Sequence, residues 1–319
     1  MILWKTYVAT VLAIWLVVAF GLHYWREILQ HWQMALVMIP GSLVAGSTPM
    51  AGGTVAFPIL VLVLHQPASN ARNFGFLIQA LGMGSAVMFM IGRKIRPPFR
   101  LVLGSTAGAA MGLLLGTFLI GPLVRDSIVK LLFACLWMSF GLLILAGNQE
   151  LCSLKRPGPP DAAQTEWIGL LAGLFGGTIA AMIGVGVELC IFSVMVLIYR
   201  ADLRIAIPAA ICAGALASAE GVALHIWLGD LGRRAVMDLL AAAPLVIFGA
   251  PCGAWVGSIV PRSRLLYFVA ALCVFQFLWT LQQAARGRAE WLFTGVAMCM
   301  AALALFALYR IGKLREHAA

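Results

Sequence analysis

The chain has 319 residues, 62% of them hydrophobic and 11% charged, with a mean hydropathy of +0.98 and a formal net charge of +10. Its 22 basic and 12 acidic side chains are too few to cover a soluble domain of this size. Nearly any window of about 20 residues is apolar enough to span a membrane, so the composition specifies an all-α polytopic membrane protein. The basic residues are scattered over short loops rather than gathered in a stripe, which excludes a nucleic-acid surface and points to a role in topology.

In chain order, residues 6–22 read as a retained first transmembrane helix, because no small-x-small cleavage site follows "VVAFGLHYW". Residues 32–64 are apolar but interrupted by "GSTPMAGGTVAFPIL". A continuous helix of that length would measure about 50 Å against a hydrocarbon core of about 30 Å, so one straight span is excluded. Pro49 removes a backbone donor, Gly52 and Gly53 permit conformations closed to other residues, and a new short helix is expected from Thr54 onward. Ordinary spans follow at 73–92, 101–124 and 128–146. The polar stretch "GNQELCSLKRPGPPDAAQTE" nearly bisects the chain and reads as a linker. A second interrupted segment, 167–199, then precedes spans at 203–228, 235–260 and 265–283, and a last helix lies within 286–319.

The halves resemble each other. Shifted by 135 residues, "AFPILVLVLHQPASNA" ending at Ala71 falls on "IFSVMVLIYRADLRIA" ending at Ala206. Later in each half a glycine stripe recurs, Gly108, Gly112 and Gly116 in one and Gly249, Gly253 and Gly257 in the other. Such spacing lets membrane helices approach closely. An interrupted segment either returns to its starting side or makes a net crossing, and basic residues discriminate between these. With re-entrant segments and "RKIRPPFR" inside, only Arg26, Arg72, Arg125, Lys130, Arg233, Arg234, Arg286 and Arg288 fall outside, 8 against 14 inside. A net crossing gives 11 and 11. The positive-inside rule therefore favours two inverted repeats, each opening with a broken re-entrant helix, with both termini cytoplasmic. The expected organisation is an N-terminal helix and loop (1–31), repeat 1 (32–147), a cytoplasmic linker (148–165), repeat 2 (166–285) and a C-terminal helix and tail (286–319).

Irregular backbone at membrane depth is tolerated only where protein buries it or it lines a wet cavity. Two inverted breaks aim two helix N-termini, each with unsatisfied N–H groups, at one central site suited to an anion. The expected lining is Ser47, Thr48, Gly52, Gly53, Thr54, Asn73, Gln79, Gly184, Gly186 and Ser193, where any hydroxyl has the alternative of bonding its own helix. Arg72 either reaches inward as an anion ligand or snorkels to the surface. Glu188, a costly charge at this depth, either caps the second short helix or exchanges a proton. Glu220 either joins a proton relay, as a second proton-coupling candidate, or pairs with a polar group of a neighbouring helix; His225, five residues on, need not face it and suits the interface. The seven cysteines show no CxxC spacing, so neither a zinc site nor a disulfide framework is indicated, and no cofactor or metal is expected. No GxSG occurs and the aspartates fall in loops or at span ends, so catalytic residues of an intramembrane protease are not found. No P-loop is present.

"AGGTVAFP" with Ala71, and "GVGVELCIFS" with Ala206, resemble the glycine-rich signature opening each half of the sulfite exporter TauE/SafE family, also called the toluene sulfonate uptake permease family. The resemblance covers about residues 32–281. It departs from the family's GxGGG pattern at Pro49 and Ala51 in the first half. In the second it departs at Val187 and Glu188, with Ser193 in place of a proline. The resemblance implies a secondary transporter of small anions such as sulfite, sulfonates or related organic anions, in a cell membrane, with the bacterial inner membrane expected. Its partners would be the anion, the bilayer and a coupling proton or ion; its oligomeric state is open. A structural or accessory membrane subunit is the alternative reading.

Overall fold

The computed structural model describes residues 2–48, 50, 52–156, 158–160 and 162–317. Helices account for nearly all of it, and among the described residues no strand occurs beyond an isolated bridge between Arg156 and Ala201. In hydrocarbon a helix satisfies every backbone group within its own segment, which is why a chain this apolar resolves into helices. The order is α1 (Ile2–Leu16), α2 (Trp25–Gln30), α3 (Trp32–Ser47), α4 (Gly52–Pro58), α5 (Ala68–Gly92), α6 (Phe99–Leu115) and α7 (Asp126–Ser153). Then come α8 (Ala163–Ile183), α9 (Val187–Ser193), α10 (Leu203–Trp227), α11 (Arg233–Ile259), α12 (Arg262–Ala284) and α13 (Arg288–His317). Among the described residues nine helical segments are long and apolar enough to cross a membrane, including α1 and α13 at the two ends.

Both interrupted segments are broken where the sequence places the breaks. Helix α3 stops at Ser47, with Thr48 extended, and α4 begins at Gly52, two residues before the expected start at Thr54. Pro49 and Ala51 lie outside the described residues. Helix α8 stops at Gly184, whose φ of 77° is left-handed, and Gly186 (φ 148°) leads into α9. These are conformations that a side chain would strain, so glycine is required there.

After each break the chain folds back on itself. A Cβ at Gly52 would lie 3.9 Å from the Gly41 carbonyl oxygen, and one at Gly176 2.7 Å from Val187 Cα. The pairs 41/52 and 176/187 are related by the same shift of 135. Each short helix continues as a wider π turn, to Val63 in one case and Ile198 in the other, making return limbs of 12 residues. At about 18 Å, such a limb has roughly half the length needed to cross. The hairpin ends meet accordingly. Tyr199 Oη donates to Thr165 Oγ at 3.4 Å and Asp202 N to the Arg156 carbonyl at 3.0 Å, joining the end of the α8–α9 hairpin to its beginning. The α3–α4 hairpin has both its ends, His31 and Gln66, against the first two turns of α11, through Asp238 (2.6 Å) and Arg234 (2.9 Å).

The glycine stripes explain how the halves are joined. Helix α6 packs along α8: a Cβ at Gly108 would fall on the Leu170 carbonyl, and one at Gly173 on that of Ser105. The equivalent stripe on α11 packs along α3, where Gly249 meets Ser42 and Gly253 the Leu43 carbonyl. Helices α5 and α10 pack together, as do α7 and α12. This pairing is unchanged when α3–α7 and α8–α12 are exchanged. The stripes thus do bring helices into backbone contact, each with the hairpin helix of the other half.

The linker is shorter than the sequence suggests. Residues Gly147–Ser153 continue α7, because Glu150 in this polar extension is held by Arg200 and Asn148 by Ser263. Among the described residues of this stretch, only 154–156, 158–160 and 162 are non-helical.

Candidate functional site

The tips of the two hairpins meet on the buried face of α5. A Cβ on Gly53 would lie 2.8 Å from Gln79 Nε2, 3.0 Å from Val185 Cγ1 and 3.3 Å from Gly75 Cα, so only glycine lets the first break approach the second. Residues 72, 75 and 79 stand three and four apart and line one face of α5. That face follows the second break: Gly75 packs on Gly184, and Gln79 Nε2 donates to the Gly184 carbonyl at 2.8 Å. Ser218 of α10 donates to Gln79 Oε1 at 3.2 Å and fixes the orientation of the amide. One element from each half thereby holds the backbone where the second helix is broken.

Of the expected hydroxyls, Ser47 and Thr48 are occupied by their own helix, Ser47 through Leu43 (2.8 Å) and Thr48 through Val44 (2.8 Å). Thr48 also accepts from Met50 N at 3.1 Å, steadying the break. Thr54 differs: its hydroxyl is buried and lacks a hydrogen-bond partner. A buried polar group without a partner is costly. Ser193 is buried in the last turn of α9, six residues and about 9 Å along the helix from its start, and is not brought to the break. Gly52, Gly53, Gly184 and Gly186 are all buried.

Glu188 is 1% exposed, and both its oxygens accept from Gly186 N, at 3.2 and 3.3 Å. It therefore bonds back to the N-terminus of its own helix, as a helix-capping carboxylate does. Glu220 stands six residues beyond Gly214, the α10 residue that faces Glu188, and so points along a different side of α10. One of its carboxylate oxygens is buried without a partner.

Arg72 neither snorkels nor stands open. Its side chain is 14% exposed and spans from the end of α8 to the α10–α11 loop, with Nη1 donating to Ala181 O (3.4 Å) and Nη2 lying 3.5 Å from both Asp230 Oδ2 and His225 Nδ1. Asp230 also contacts His225 Nδ1 at 2.7 Å. Asn73 is a strap: its Oδ1 accepts from Arg72 Nε, and its Nδ2 donates to the carbonyls of Asp230 (2.7 Å) and Leu231 (3.0 Å). His225 belongs to this cluster; it is fully buried in the last turn of α10, stacked on Phe76, with Nε2 unpartnered. The cluster caps the second break from the end where α5 begins. Ser218, Asp230 and His225 are thus site-forming residues that sequence reasoning did not assign. The one available signal was the spacing of Ser218 four residues after Gly214.

A family model described as sulfite exporter TauE/SafE matches residues 35–280, from α3 to the end of α12. It leaves α1, α2 and α13 as additions on either side. No match was found among curated proteins or among solved structures. The matched span covers both hairpins, both glycine stripes and every residue of the site just described, and the chain belongs to the sulfite exporter TauE/SafE family of multi-pass membrane transporters.

Proposed function

We propose that the protein is a secondary transporter of a small sulfur-containing anion, built from two inverted repeats that place the substrate where the hairpin tips meet. The observation that carries this reading is the junction itself: two buried breaks in contact at Gly53 and Val185, with the Thr54 hydroxyl beside them unpartnered. Two short helices start there, and their free N–H groups favour negative charge. The α3–α4 hairpin opens at the end of the molecule that holds the start of α11, and the α8–α9 hairpin opens at the end that holds the linker, which supports inverted repeats. Gly52, Gly53, Thr54, Gln79, Gly184 and Gly186 form the proposed contact set, with Arg72 as a cationic cap.

Flux in proteoliposomes of the full chain, with sulfite, a sulfonate and a carboxylate and with and without a proton gradient, tests the proposal. Saturable flux of a sulfur anion that Gly53→Ala abolishes is expected, and an absence of flux for all three would refute it. Cysteine labelling at positions 72 and 200 tests the topology: the inverted arrangement puts them on opposite sides, with the termini on the side of position 200.

A further inference from the structure

The two hairpins present different chemistry at equivalent places. Under the shift of 135, Gly53 falls on Glu188 and Gln79 on Gly214. In one half the hairpin offers glycine and α5 the long polar side chain; a Cβ on Gly53 would sit 2.8 Å from Gln79 Nε2. In the other half the roles are exchanged, the hairpin carrying Glu188 and α10 the glycine, where a Cβ on Gly214 would sit 3.0 Å from Glu188 Cβ. Each hairpin–helix contact therefore has room for one long polar side chain. One half fills it with a neutral amide and the other with a carboxyl group.

The two groups differ in how well they are satisfied. Gln79 is fixed at both ends, by Gly184 and Ser218. Glu188 has only backbone N–H groups of its own turn, those of Gly186 and of Glu188 itself, for two oxygens that, if ionised, could accept about four hydrogen bonds. Among the described residues no Lys, Arg or His pairs with it. Helix α10 faces it with Gly214, and α5 adds Met83 beside that glycine. Cys190 on its own helix is the titratable group close enough to interact with its charge. The charged residues of α6 and α8, Arg100 and Glu166, pair with each other at the helix starts, and on α10 Arg204, Glu220 and His225 lie away from Gly214. A buried carboxyl group in such surroundings needs a proton, either its own or one brought by the molecule beside it.

On the transport reading above, we propose that Glu188 is the specificity-determining residue, and that it selects a sulfur oxyanion that carries a proton. Hydrogen sulfite, in the form with an O–H, would donate to the Glu188 carboxylate while its other oxygens face the N–H groups of the break and the Thr54 hydroxyl. A sulfonate monoanion has no proton to give, so it meets an ionised Glu188 oxygen to oxygen and fits only where the carboxyl group keeps its own proton. Gln79, at the equivalent place in the other half, accepts either anion.

The test compares sulfite and methanesulfonate uptake into proteoliposomes at pH values on either side of neutrality. The wild-type chain is expected to favour sulfite by about tenfold or more, with flux falling as rising pH strips the proton from hydrogen sulfite. Glu188→Gln keeps the shape and an oxygen for Gly186 N; it is expected to raise methanesulfonate flux relative to sulfite by about tenfold. Equal wild-type flux of the two anions overturns the inference without any variant having to fold, and so does undiminished discrimination in a folded Glu188→Gln. A wild-type chain that moves neither anion refutes the transport reading instead.

Discussion

Replacing Gln79 with leucine separates the role of this residue in holding the break from the general cost of a polar group in the bundle. The side chain is 1% exposed, donates to the Gly184 carbonyl at 2.8 Å and accepts from Ser218 at 3.2 Å. Hydrogen bonds between membrane helices average about 0.6 kcal/mol, so losing two costs about 1 kcal/mol. A buried carbonyl left unpaired adds about 1–3 kcal/mol where no water reaches it. The sum is about 1–4 kcal/mol, concentrated where α8 gives way to α9. Gln276 of α12 supplies the control: it is 7% exposed, and its Nε2 has no partner. Gln276→Leu removes an amide whose donor is already unsatisfied and is expected to be neutral or stabilising. Thermal unfolding in detergent compares the two variants, and anion flux follows each. Equal stability of both, or wild-type flux in Gln79→Leu, would refute the assignment of Gln79 as the clamp on the second break.

The glycine stripes give a graded expectation: Gly108→Ala forces a Cβ onto the Leu170 carbonyl and should cost about 1–3 kcal/mol, whereas Gly295→Ala on α13, with nothing within 4 Å, should be neutral or gain about 0.5–1 kcal/mol by thermal unfolding. Hydrogen exchange with and without substrate should group α6 with α8 and α3 with α11, and protection changes shared by α3 and α6 but not by α8 would contradict the packing. At the end of the bundle where α11 begins, the exposed Glu27 carboxylate is held below the usual carboxylate range, chiefly by its hydrogen bonds from Arg233 at 2.7 and 2.9 Å. A lowered folded-state pKa means that this contribution is complete above the usual range and is lost as pH falls through the lowered value. Amide protection in α2, taken relative to the intrinsic exchange rate at each pH, should therefore stay unchanged from pH about 7 to about 5 and fall only in more acid solution; an earlier fall would count against the pairing.

What could be read from the sequence and what could not divide along physical lines. Helix content and the break positions follow from local properties: apolar composition forces helices, and "STPMAGG" and "GVGVE" cannot continue one. The fold-back after each break fits the short return limbs, while the sidedness read from basic residues at loop ends is what the labelling at positions 72 and 200 tests. Contacts distant in sequence were not. Gln79 and Gly184 are 105 residues apart and Arg72 and Asp230 158 apart, and no local pattern pairs them. Asp230 reads as an ordinary loop aspartate until the fold sets it against Arg72 and His225. The extension of α7 to Ser153 was missed for a related reason: its polar residues look like linker, and it is Arg200, 50 residues later, that holds Glu150.

The stripes also constrain what can move. Where glycine brings backbone against backbone, as along α6 and α8, no side chain lies between to repack, and sliding would lift carbonyls out of contact along the whole face. The contact between the hairpin tips is different: Gly53 meets the other break through one side-chain carbon of Val185, with the Gln79 amide and the Gly75 backbone of α5 beside it. Motion is therefore cheaper at the Gly53–Val185 contact than along the stripes. The α8–α9 hairpin would move with α6 of the other half, and the α3–α4 hairpin with α11. On the transport proposal, the halves defined by sequence would then not be the bodies that rock. On the transport proposal each body would carry one break and its N–H groups, so that relative rotation would open or close the junction without disturbing the helices that present it.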